Sequence, residues 1–371
     1  MADPNVQELE AATKEYIWPN AVTDLFFRSD PVVAYMRQTA LTVFPGGRDM
    51  RNVFNYAPLI GGAYLQGAPF TLTKPQTLSS AIFDPKFYMT NVTEYLEEVR
   101  VQNVGEEAAF SLVENDLNVA MSTISAIVSV NLSRDGQQVG RLAHINGWDE
   151  AYNDGITPGW QGIVFPSYGR IVRNGAVKAA MNSVPRWGGT NTGVPASITY
   201  DFIADVYQDC VRGNVEPNLI AMNKRLFAGC QSRIQVQQRF AQEKDPVWGA
   251  SGFRINNAMV LKSDYFPSAA YGENDPILGN YLTGTFTVPV GFDTRSGLPT
   301  AGTVVTVGEV MTLFNTEKWL YYVARDPLFA FGFTGFKTDI GSTKVAGQVL
   351  AMNNAACRAP WSGKQCYGLA A

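Results

Sequence analysis

The feature that most constrains this fold is the longest helical pattern in the chain, residues 106–131. Apolar residues recur there in steps of three or four, which places them on one face of an α-helix. They are Phe110, Val113, Leu117, Met121, Ile124 and Val128, while Glu114, Asp116 and Asn118 occupy other faces. At about 1.5 Å rise per residue the helix would be roughly 35–40 Å long. The pattern predicts a domain organised around this helix.

The residues directly after this helix carry a first resemblance. Residues 133–136, Ser-Arg-Asp-Gly, are turn formers that predict the end of the helix. Residues 146–151 then read Asn-Gly-Trp-Asp-Glu-Ala. A long helix, a turn and such a segment resemble the spine helix and the segment after it in major capsid proteins of tailed bacteriophages with the HK97 fold.

Composition excludes several other classes of protein. The 371 residues suffice for two units with a core, and 46% hydrophobic with 17% charged residues argues against disorder. A net charge of −4 argues against a protein that grips nucleic acid through a basic surface. We expect any contact with a genome to be weak and indifferent to sequence.

No cofactor, metal site or membrane association is predicted. No secretion signal and no stretch of about 20 apolar residues is found, so a cytosolic origin is expected. The four cysteines form no Cys-x-x-Cys pair, and His144 is the only histidine, which argues against structural zinc. We expect Cys210, Cys230, Cys357 and Cys366 to be buried or reduced thiols.

The first part of the chain reads as an arm followed by a ribbon. Ser29-Asp30-Pro31 predicts a helix start, but residues 1–45 are too discontinuous for a core of their own. They either lie on the following domain or reach a neighbouring chain. Residues 52–73 contain no charge but several prolines and glycines, which predicts an extended hairpin with residues 61–68 near its tip.

An uncharged, exposed ribbon invites pairing with another chain. We therefore expect other subunits to bury this hairpin, the alternative being a hairpin folded on its own domain. The hairpin is predicted to return through Leu72-Thr73 and residues 76–88. The run at 77–88, followed by Asn91-Val92-Thr93, resembles the return strand of the long hairpin, or E-loop, in one branch of the capsid family.

The middle of the chain reads as a second, inserted unit. Ser197 is predicted to cap a helix over residues 198–211, whose apolar face contains Phe202, Ile203, Val206 and Cys210, with Gly213 just past its end. Residues 218–221 predict a buried strand, and Asn223 a second helix through about residue 234. This order is similar to the capsid axial domain, which in the family packs around the five-fold and quasi-six-fold axes.

Two glycine-containing stretches in this unit have different interpretations. Residues 188–193, Gly-Gly-Thr-Asn-Thr-Gly, lack the Lys-Ser/Thr ending of a phosphate loop, and Val194-Pro195 follows where a helix should begin. We interpret them as a flexible surface loop. Residues 252–267 predict a turn and two strands that reach Pro267, an arrangement that also resembles the family.

The end of the chain carries the strongest resemblance. Residues 314–323 predict one strand, and alternating runs follow at 328–336 and 346–352, with Asn-Asn-Ala-Ala-Cys-Arg-Ala-Pro at 353–360. In that order these segments resemble the capsid family, and they would return to pack on the spine helix. The resemblance spans about residues 45–371, and its weight lies in the order of the motifs.

The resemblance implies an α+β HK97-like fold with five segments. They are an N-terminal arm (1–45), the E-loop hairpin (46–95), the first half of the peripheral domain with the spine helix (96–150), the axial domain (151–315) and the second half of the peripheral domain (316–371).

No catalytic site is predicted. His144 lies in an apolar run without a nucleophile motif, and a satisfied structural histidine is the better interpretation. Asp149 with either Glu150 or Asp154 could be imagined as an acid–base pair, but adjacent residues of a helix do not face each other. In a solvated turn such carboxylates are ordinary.

The resemblance implies a structural protein of the virion, assembled in the host bacterial cytoplasm. Its hexamers and pentamers would form an icosahedral shell around double-stranded DNA. Implied partners are further copies, a separate scaffolding protein, a portal and a decoration protein. Lys74 lies where crosslinking members place a lysine, but no partner asparagine can be assigned. The alternatives are an encapsulin-like compartment that encloses a cargo enzyme and a soluble hydrolase.

Overall fold

The structure is a computed structural model of the chain. It describes residues 30–66, 73–95, 97, 112–173, 181–237, 243–244, 251–269, 283–292, 296–338 and 343–371. The elements up to residue 200 are α1 (Pro31–Ala40), β1 (Leu41–Phe44), β2 (Met50–Asn55), β3 (Leu78–Phe83), β4 (Lys86–Tyr95), α2 (Leu112–Leu132), a 3-10 turn (Val139–Arg141), α3 (Trp148–Ala151), β5 (Ser167–Tyr168), β6 (Ile171–Val172), β7 (Arg186–Trp187) and β8 (Ala196–Ser197).

The remaining elements are α4 (Tyr200–Cys210), β9 (Leu219–Met222), α5 (Lys224–Gln237), β10 (Glu243–Lys244), β11 (Ser251–Ile255), β12 (Ala258–Lys262), β13 (Thr285–Thr287), β14 (Val304–Thr306), β15 (Glu309–Phe314), a 3-10 turn (Thr316–Lys318), β16 (Trp319–Ala324), β17 (Ala330–Phe333), β18 (Lys337–Thr338), β19 (Lys344–Cys357), a 3-10 turn (Pro360–Ser362) and β20 (Lys364–Ala370). The mixture of helices and sheets confirms the α+β class.

The spine helix is α2, which has 21 residues in its described part. It ends at Leu132, as the turn formers after it predict. The predicted start at residues 106–111 lies outside the described residues. Ile124 and Val128 are buried as expected, but Met121 is 38% exposed. The prediction of a single apolar stripe is therefore wrong for Met121. The C-terminal half of α2 is instead enclosed on several sides, since Ala126 and Val130 are also buried.

The first sheet lies against this helix. Its order is β1-β16-β19-β17, and β4 and β18 also pair with β19. The first part of the long strand β19 pairs with β4, and its last residues pair with β16. Tyr88 and Val92 of β4 are buried, whereas Phe87 and Met89 on the opposite face are exposed. Since α2 contacts both β4 and β19, the C-terminal strands return to the helix as predicted.

The second sheet follows the order β10-β11-β12-β9-β15-β20-β7, with β8 also paired to β20. Strand β9, predicted at residues 218–221, is buried throughout and lies between β12 and β15. Asn223 caps α5 as predicted, accepting the Leu226 N–H, although the helix extends to Gln237. Strand β20, for which no prediction was made, carries the C-terminal residues into this sheet.

Helix α4 begins later than the sequence indicated. Its cap is Thr199, whose Oγ1 accepts the Phe202 N–H at 3.3 Å, so the prediction of Ser197 as the cap is wrong. Ser197 lies instead in β8, in register with Ala370 of β20. Pairing with β20, at the far end of the chain, therefore places Ser197 in a strand, although local capping rules would place it at the start of the helix. The apolar face is as predicted, with Ile203, Val206 and Cys210 buried and Phe202 partly buried.

Replacing Thr199 with alanine tests which residue caps α4. We expect the free energy of unfolding to fall by about 0.5–1 kcal/mol, because one N–H of the first helical turn loses its acceptor. The matched control is Ser197→Ala, which should change stability by less than about 0.5 kcal/mol. Urea denaturation measures both variants. A larger loss for Ser197→Ala than for Thr199→Ala would contradict the assignment.

Two further segments differ from, or refine, the sequence interpretation. Residues 314–323 do not form one strand, because Asn315 accepts the Glu317 N–H through its Oδ1 and starts a 3-10 turn between β15 and β16.

Asp30 caps α1 as predicted, accepting the Val32 N–H at 3.0 Å. Val32 and Met36 of α1 are buried in the main core, so this helix lies on its own chain.

The glycine-rich stretch at 188–193 is a closed turn. The N–H of Thr190 donates to the Val194 carbonyl at 2.8 Å, and the N–H of Gly193 donates to the Thr190 carbonyl at 3.0 Å. Strand β8 follows it rather than a helix. These bonds give the stretch a defined backbone, which the description as a flexible loop did not anticipate.

Candidate assembly ribbon and buried junction

The base of the predicted hairpin is anchored on its own chain. Strands β2 and β3 pair as a two-stranded ribbon, with Asn52 opposite Ala81, and both residues are buried. The Tyr322 hydroxyl donates to Asn52 Oδ1 at 2.9 Å. Phe83 meets the edge of the Tyr168 ring, with 5.1 Å between centroids. The ribbon therefore leaves the body of the protein from a fixed root.

A glycine makes the anchoring possible. The Ile82 N–H donates to the Gly169 carbonyl at 2.9 Å, which brings the two backbones together. Gly169 has φ +54°, and an added Cβ there would lie 2.7 Å from Cβ of Ala81 and 2.9 Å from the Phe83 ring. A side chain at this position would both strain the backbone and push the ribbon away.

Beyond its root the ribbon presents large apolar side chains to solvent. They are Leu59, Ile60, Tyr64 and Leu65, the last of which is 83% exposed, and Val53 within the root is exposed as well. No charged residue lies between residues 52 and 73. Of the predicted tip at 61–68, residues 67 and 68 lie outside the described residues. The alternative of a hairpin folded on its own domain holds for the root, whereas the large apolar side chains of the described outer part are more than half exposed.

Asp149, Glu150 and Asp154 do not lie in a solvated turn, so that expectation is wrong. All three are buried, and Asp149 and Glu150 are 0% exposed. The reason is the position of α3 close to the end of the spine helix, where an added Cβ at Gly147 would lie 2.4 Å from the Leu132 carbonyl oxygen. Trp148 of α3 stacks on Phe266, with 5.3 Å between ring centroids, and meets the edge of Phe314 at 5.2 Å. This aromatic packing draws the two carboxylates that follow it into the protein.

Asp149 is held by neutral donors. Its Oδ1 accepts the Trp160 N–H at 3.2 Å, and its Oδ2 accepts from Gln161 Nε2 at 3.0 Å. The same Gln161 nitrogen lies 3.3 Å from Asp135 Oδ2, so one amide bridges two carboxylates. Burial raises the pKa of Asp149 to about 8, and the nearby charge of Asp135 adds to the rise.

We call the buried group of Asp149, Glu150 and Arg173 around α3 the junction, and Glu150 and Arg173 form its second half. Glu150 accepts from Asn146 Nδ2 at 2.6 Å and from the Gly136 N–H at 3.1 Å, and burial raises its pKa to about 7. Arg173 is also buried, donates to the carbonyl of Glu150, and has its pKa lowered to about 10 by burial. Sequence reasoning missed Arg173, because nothing in its local pattern indicates burial.

The junction orders the chain rather than presenting a reactive site. The two carboxylates have raised pKa values, which is one mark of acid–base catalysis. Their side chains are nevertheless enclosed, and their oxygens bond to the protein itself. A substrate has no approach to either group through the described part of the chain.

His144 differs from its prediction in one detail. It is partly buried, and burial followed by the charge of Arg141 lowers its pKa, so the imidazole is neutral at pH 7. Its Nδ1 is buried without a hydrogen-bond partner among the described residues. The expectation of a fully satisfied histidine is therefore wrong for this nitrogen.

The remaining sequence predictions on chemistry concern thiols, metals and membranes. Cys210, Cys230, Cys357 and Cys366 are free and buried, as predicted. Within the described ranges no three His, Cys, Asp or Glu side chains are arranged to hold a metal ion. Over those same ranges no helix is long and apolar enough to span a bilayer.

Comparison with solved structures identifies the architecture. A cyanophage A-1(L) capsid protein superposes with a TM-score of 0.63 at 10% identity, covering 94% of this chain and 95% of that one. The capsid protein of a native GTA particle has a TM-score of 0.55 at 10% identity, with 100% of both chains covered. The SrpI encapsulin of Synechococcus elongatus PCC 7942 has a TM-score of 0.55 at 9% identity, covering 100% of this chain and 96% of that one.

In sequence, no family model and no curated protein matches the chain. The likeness to the capsid structures extends over nearly the whole length of both chains. At this low identity it establishes the fold. The chain has the HK97-type capsid fold that its sequence resembles.

Proposed function

We propose that this chain is the major capsid protein of a tailed bacteriophage, which assembles as hexamers and pentamers into an icosahedral shell around double-stranded DNA. The observation that carries the proposal is the anchored ribbon on a full-length capsid fold. Its root is packed on the chain's own core, while Leu59, Tyr64 and Leu65 beyond the root are exposed. Exposed apolar groups on such an extension favour burial against a neighbouring copy.

The physical basis of assembly is repetition. A free two-stranded ribbon is marginal in water, so contact with a second chain stabilises it. Each contact contributes a modest free energy, and closed symmetry multiplies it over all copies. The anchored root limits the directions in which the ribbon can point, which lowers the entropy lost when it docks.

The finer assignments follow from the proposed identity. Residues 1–45 would be the arm, 46–95 the E-loop, 96–150 and 316–371 the two halves of the peripheral domain, and 151–315 the axial domain around the symmetry axes. The protein would reside in the virion after assembly in the host cytoplasm. A scaffolding protein, a portal and a decoration protein would be its partners. The net charge of −4 supports only weak, non-specific contact with packaged DNA.

An encapsulin-like compartment is the second candidate. It is favoured by the likeness to the SrpI encapsulin, whose TM-score of 0.55 equals that of the GTA capsid protein. The two candidates share the fold and differ in what the shell encloses. The soluble-hydrolase alternative has no observation in its favour, because the carboxylates with raised pKa values are enclosed.

The contents of the particles separate the two candidates. Particles would be isolated from the cells that naturally produce this protein, treated with nuclease and then opened. The capsid proposal predicts double-stranded DNA that is protected until opening. Shells with a stoichiometric enzyme and no protected DNA would overturn it in favour of the encapsulin-like compartment.

A further inference from the structure

The segment after α2 folds into a compact loop, residues 134–147. Its two ends are in contact, since an added Cβ at Gly136 would lie 2.7 Å from the carbonyl oxygen of His144. Within the loop the N–H of His144 donates to the Arg141 carbonyl at 2.9 Å. The backbone positions of Arg134, Arg141 and His144 therefore lie close together.

Lys86 brings a fourth basic side chain to this loop. It is the first residue of β4, and its Nζ donates to the carbonyl of Leu142 inside the loop. The contact joins residues that are 56 positions apart in the sequence, so it depends on the fold and not on a local pattern. We call Arg134, Arg141, His144 and Lys86 the basic cluster.

The charge that acts on His144 is predominantly positive. Burial lowers the pKa of its imidazole, and so do the charges of Arg141, Arg134 and Lys86. The carboxylate of Asp135 acts in the opposite direction. The whole chain has a net charge of −4, so the basic cluster is a local reversal of its sign.

The carboxylates next to the cluster do not cancel this charge. Asp135 is buried, its Oδ1 accepts two backbone N–H groups of the loop, and its Oδ2 pairs with Arg141 at 3.3 Å. Asp84, just before β4, pairs with Arg170 at 2.7 Å. Glu150 is enclosed in the junction. An anion that approaches the cluster therefore meets more positive than negative charge.

His144 is placed to respond to such an anion. Its Nδ1 is buried and has no hydrogen-bond partner in the described part of the chain, so a change of protonation there breaks no hydrogen bond. The ring is half-buried, and Gly140, Leu142 and Ala143 near it are exposed, which leaves the outer side of the loop open to solvent. A nearby negative charge favours the protonated imidazole, in which both nitrogens donate.

We propose that the basic cluster binds a phosphate group and that His144 takes up a proton when it does. Two guanidinium groups fit the oxygens of a phosphate through their paired N–H donors, and the ammonium of Lys86 adds a further positive charge. A chloride ion or a carboxylate has a single negative charge. Several cations around one anion therefore favour the doubly charged group.

Two sources offer this group, free inorganic phosphate and the backbone of DNA. Contact with DNA would place the end of the spine helix on the inner side of the shell, and this assignment alone rests on the proposed function. Binding of a phosphate group does not require assembly. Each contact with DNA would be weak and indifferent to sequence, since one phosphate gives a slope of only about −1 in the dependence of log K on log salt.

Nuclear magnetic resonance of His144 tests the site directly, because it is the only histidine in the chain. The full-length protein, without a histidine tag, would be labelled in its imidazole and measured in solution or, if assembled, under magic-angle spinning. Sulfate is the first probe, since its double charge stays constant while histidine titrates, and chloride at equal ionic strength is the reference. We expect sulfate to raise the pKa of His144 by about one unit relative to chloride.

The same shift sets the pH dependence of binding. A rise of about one unit corresponds to about tenfold tighter binding of the anion to the protonated site. The affinity for sulfate should therefore be highest below the pKa of the free site. It should fall by about tenfold as the pH rises through the raised pKa.

Replacing Arg134 with glutamine removes one cation of the cluster. We expect this variant to bind sulfate about tenfold more weakly and to show a smaller shift at His144. Arg141 stays unchanged, because it also pairs with the buried Asp135. The matched control is Arg225→Gln at an exposed arginine of α5, which should bind as the wild type. Equal weakening by both substitutions would contradict a defined site.

Inorganic phosphate and a short DNA duplex, each added in place of sulfate, distinguish the two sources. A raised pKa at duplex phosphate concentrations below those that sulfate requires assigns the site to the DNA backbone. A shift with sulfate and inorganic phosphate, but not with the duplex, assigns it to free phosphate. An unchanged pKa of His144 in the wild type with all three anions overturns the proposal. Failure of the proposed function would appear separately, as the absence of particles.

Discussion

Replacing Tyr64 and Leu65 with glutamate is expected to abolish closed shells while leaving the chain folded. Tyr64 is 67% exposed and Leu65 83% exposed on the outer ribbon, and neither belongs to the buried core. In a shell the ribbon would be covered by a neighbour, and each buried, unpaired carboxylate costs several kcal/mol. Since every 1.4 kcal/mol is about tenfold in an equilibrium constant, we expect the shell yield to fall by at least about tenfold.

The control for this variant is an exposed apolar residue away from the ribbon. Val290 is 90% exposed, and Val290→Glu adds the same kind of charge. Sedimentation gives the fraction of closed shells, and circular dichroism verifies the fold of the unassembled chain. Deleting residues 61–68 should have the same effect as the charged variant. Shells at wild-type yield with either ribbon change would contradict the interlocking role of the ribbon.

Replacing Trp148 with alanine is expected to lower the free energy of unfolding by about 3–5 kcal/mol, the range for deleting a large buried aromatic side chain. Trp148 is buried between Phe266 and Phe314, and its Nε1 has no partner among the described residues. The loss is therefore one of packing. It occurs at the junction between the spine helix and the second sheet, so we expect both to unfold together.

Urea denaturation followed by circular dichroism measures this loss. The conservative variant Trp148→Phe keeps an aromatic ring between the same two partners and should lose less than the alanine variant. The exposed control Val290→Ala should stay within about 0.5 kcal/mol of the wild type. A loss below about 1 kcal/mol for Trp148→Ala would contradict the central role assigned to this packing.

The sequence predicted the elements that local rules determine. The end of α2, the caps at Asp30 and Asn223, the buried strand β9 and the apolar face of α4 all follow from turn formers, capping residues and periodicity. The order of these elements was enough for the resemblance to a capsid fold. The uncharged ribbon was also visible, because its composition departs from that of ordinary surface loops.

The sequence did not predict features that depend on contacts between distant residues. Ser197 looks like a helix cap, but it pairs with Ala370 at the other end of the chain. Asp149 and Glu150 look like residues of a solvated turn, and only the packing of Trp148 reveals their burial. Local patterns contain no information on such partners.

The measurement that tests the account most directly is the mass and shape of the purified chain. Light scattering and negative-stain electron microscopy would be performed over a range of concentrations, with a scaffolding protein co-expressed if the chain does not assemble alone. The account predicts hollow, uniform particles or rings of five and six subunits. A strict monomer under both conditions would contradict the proposed shell-forming role.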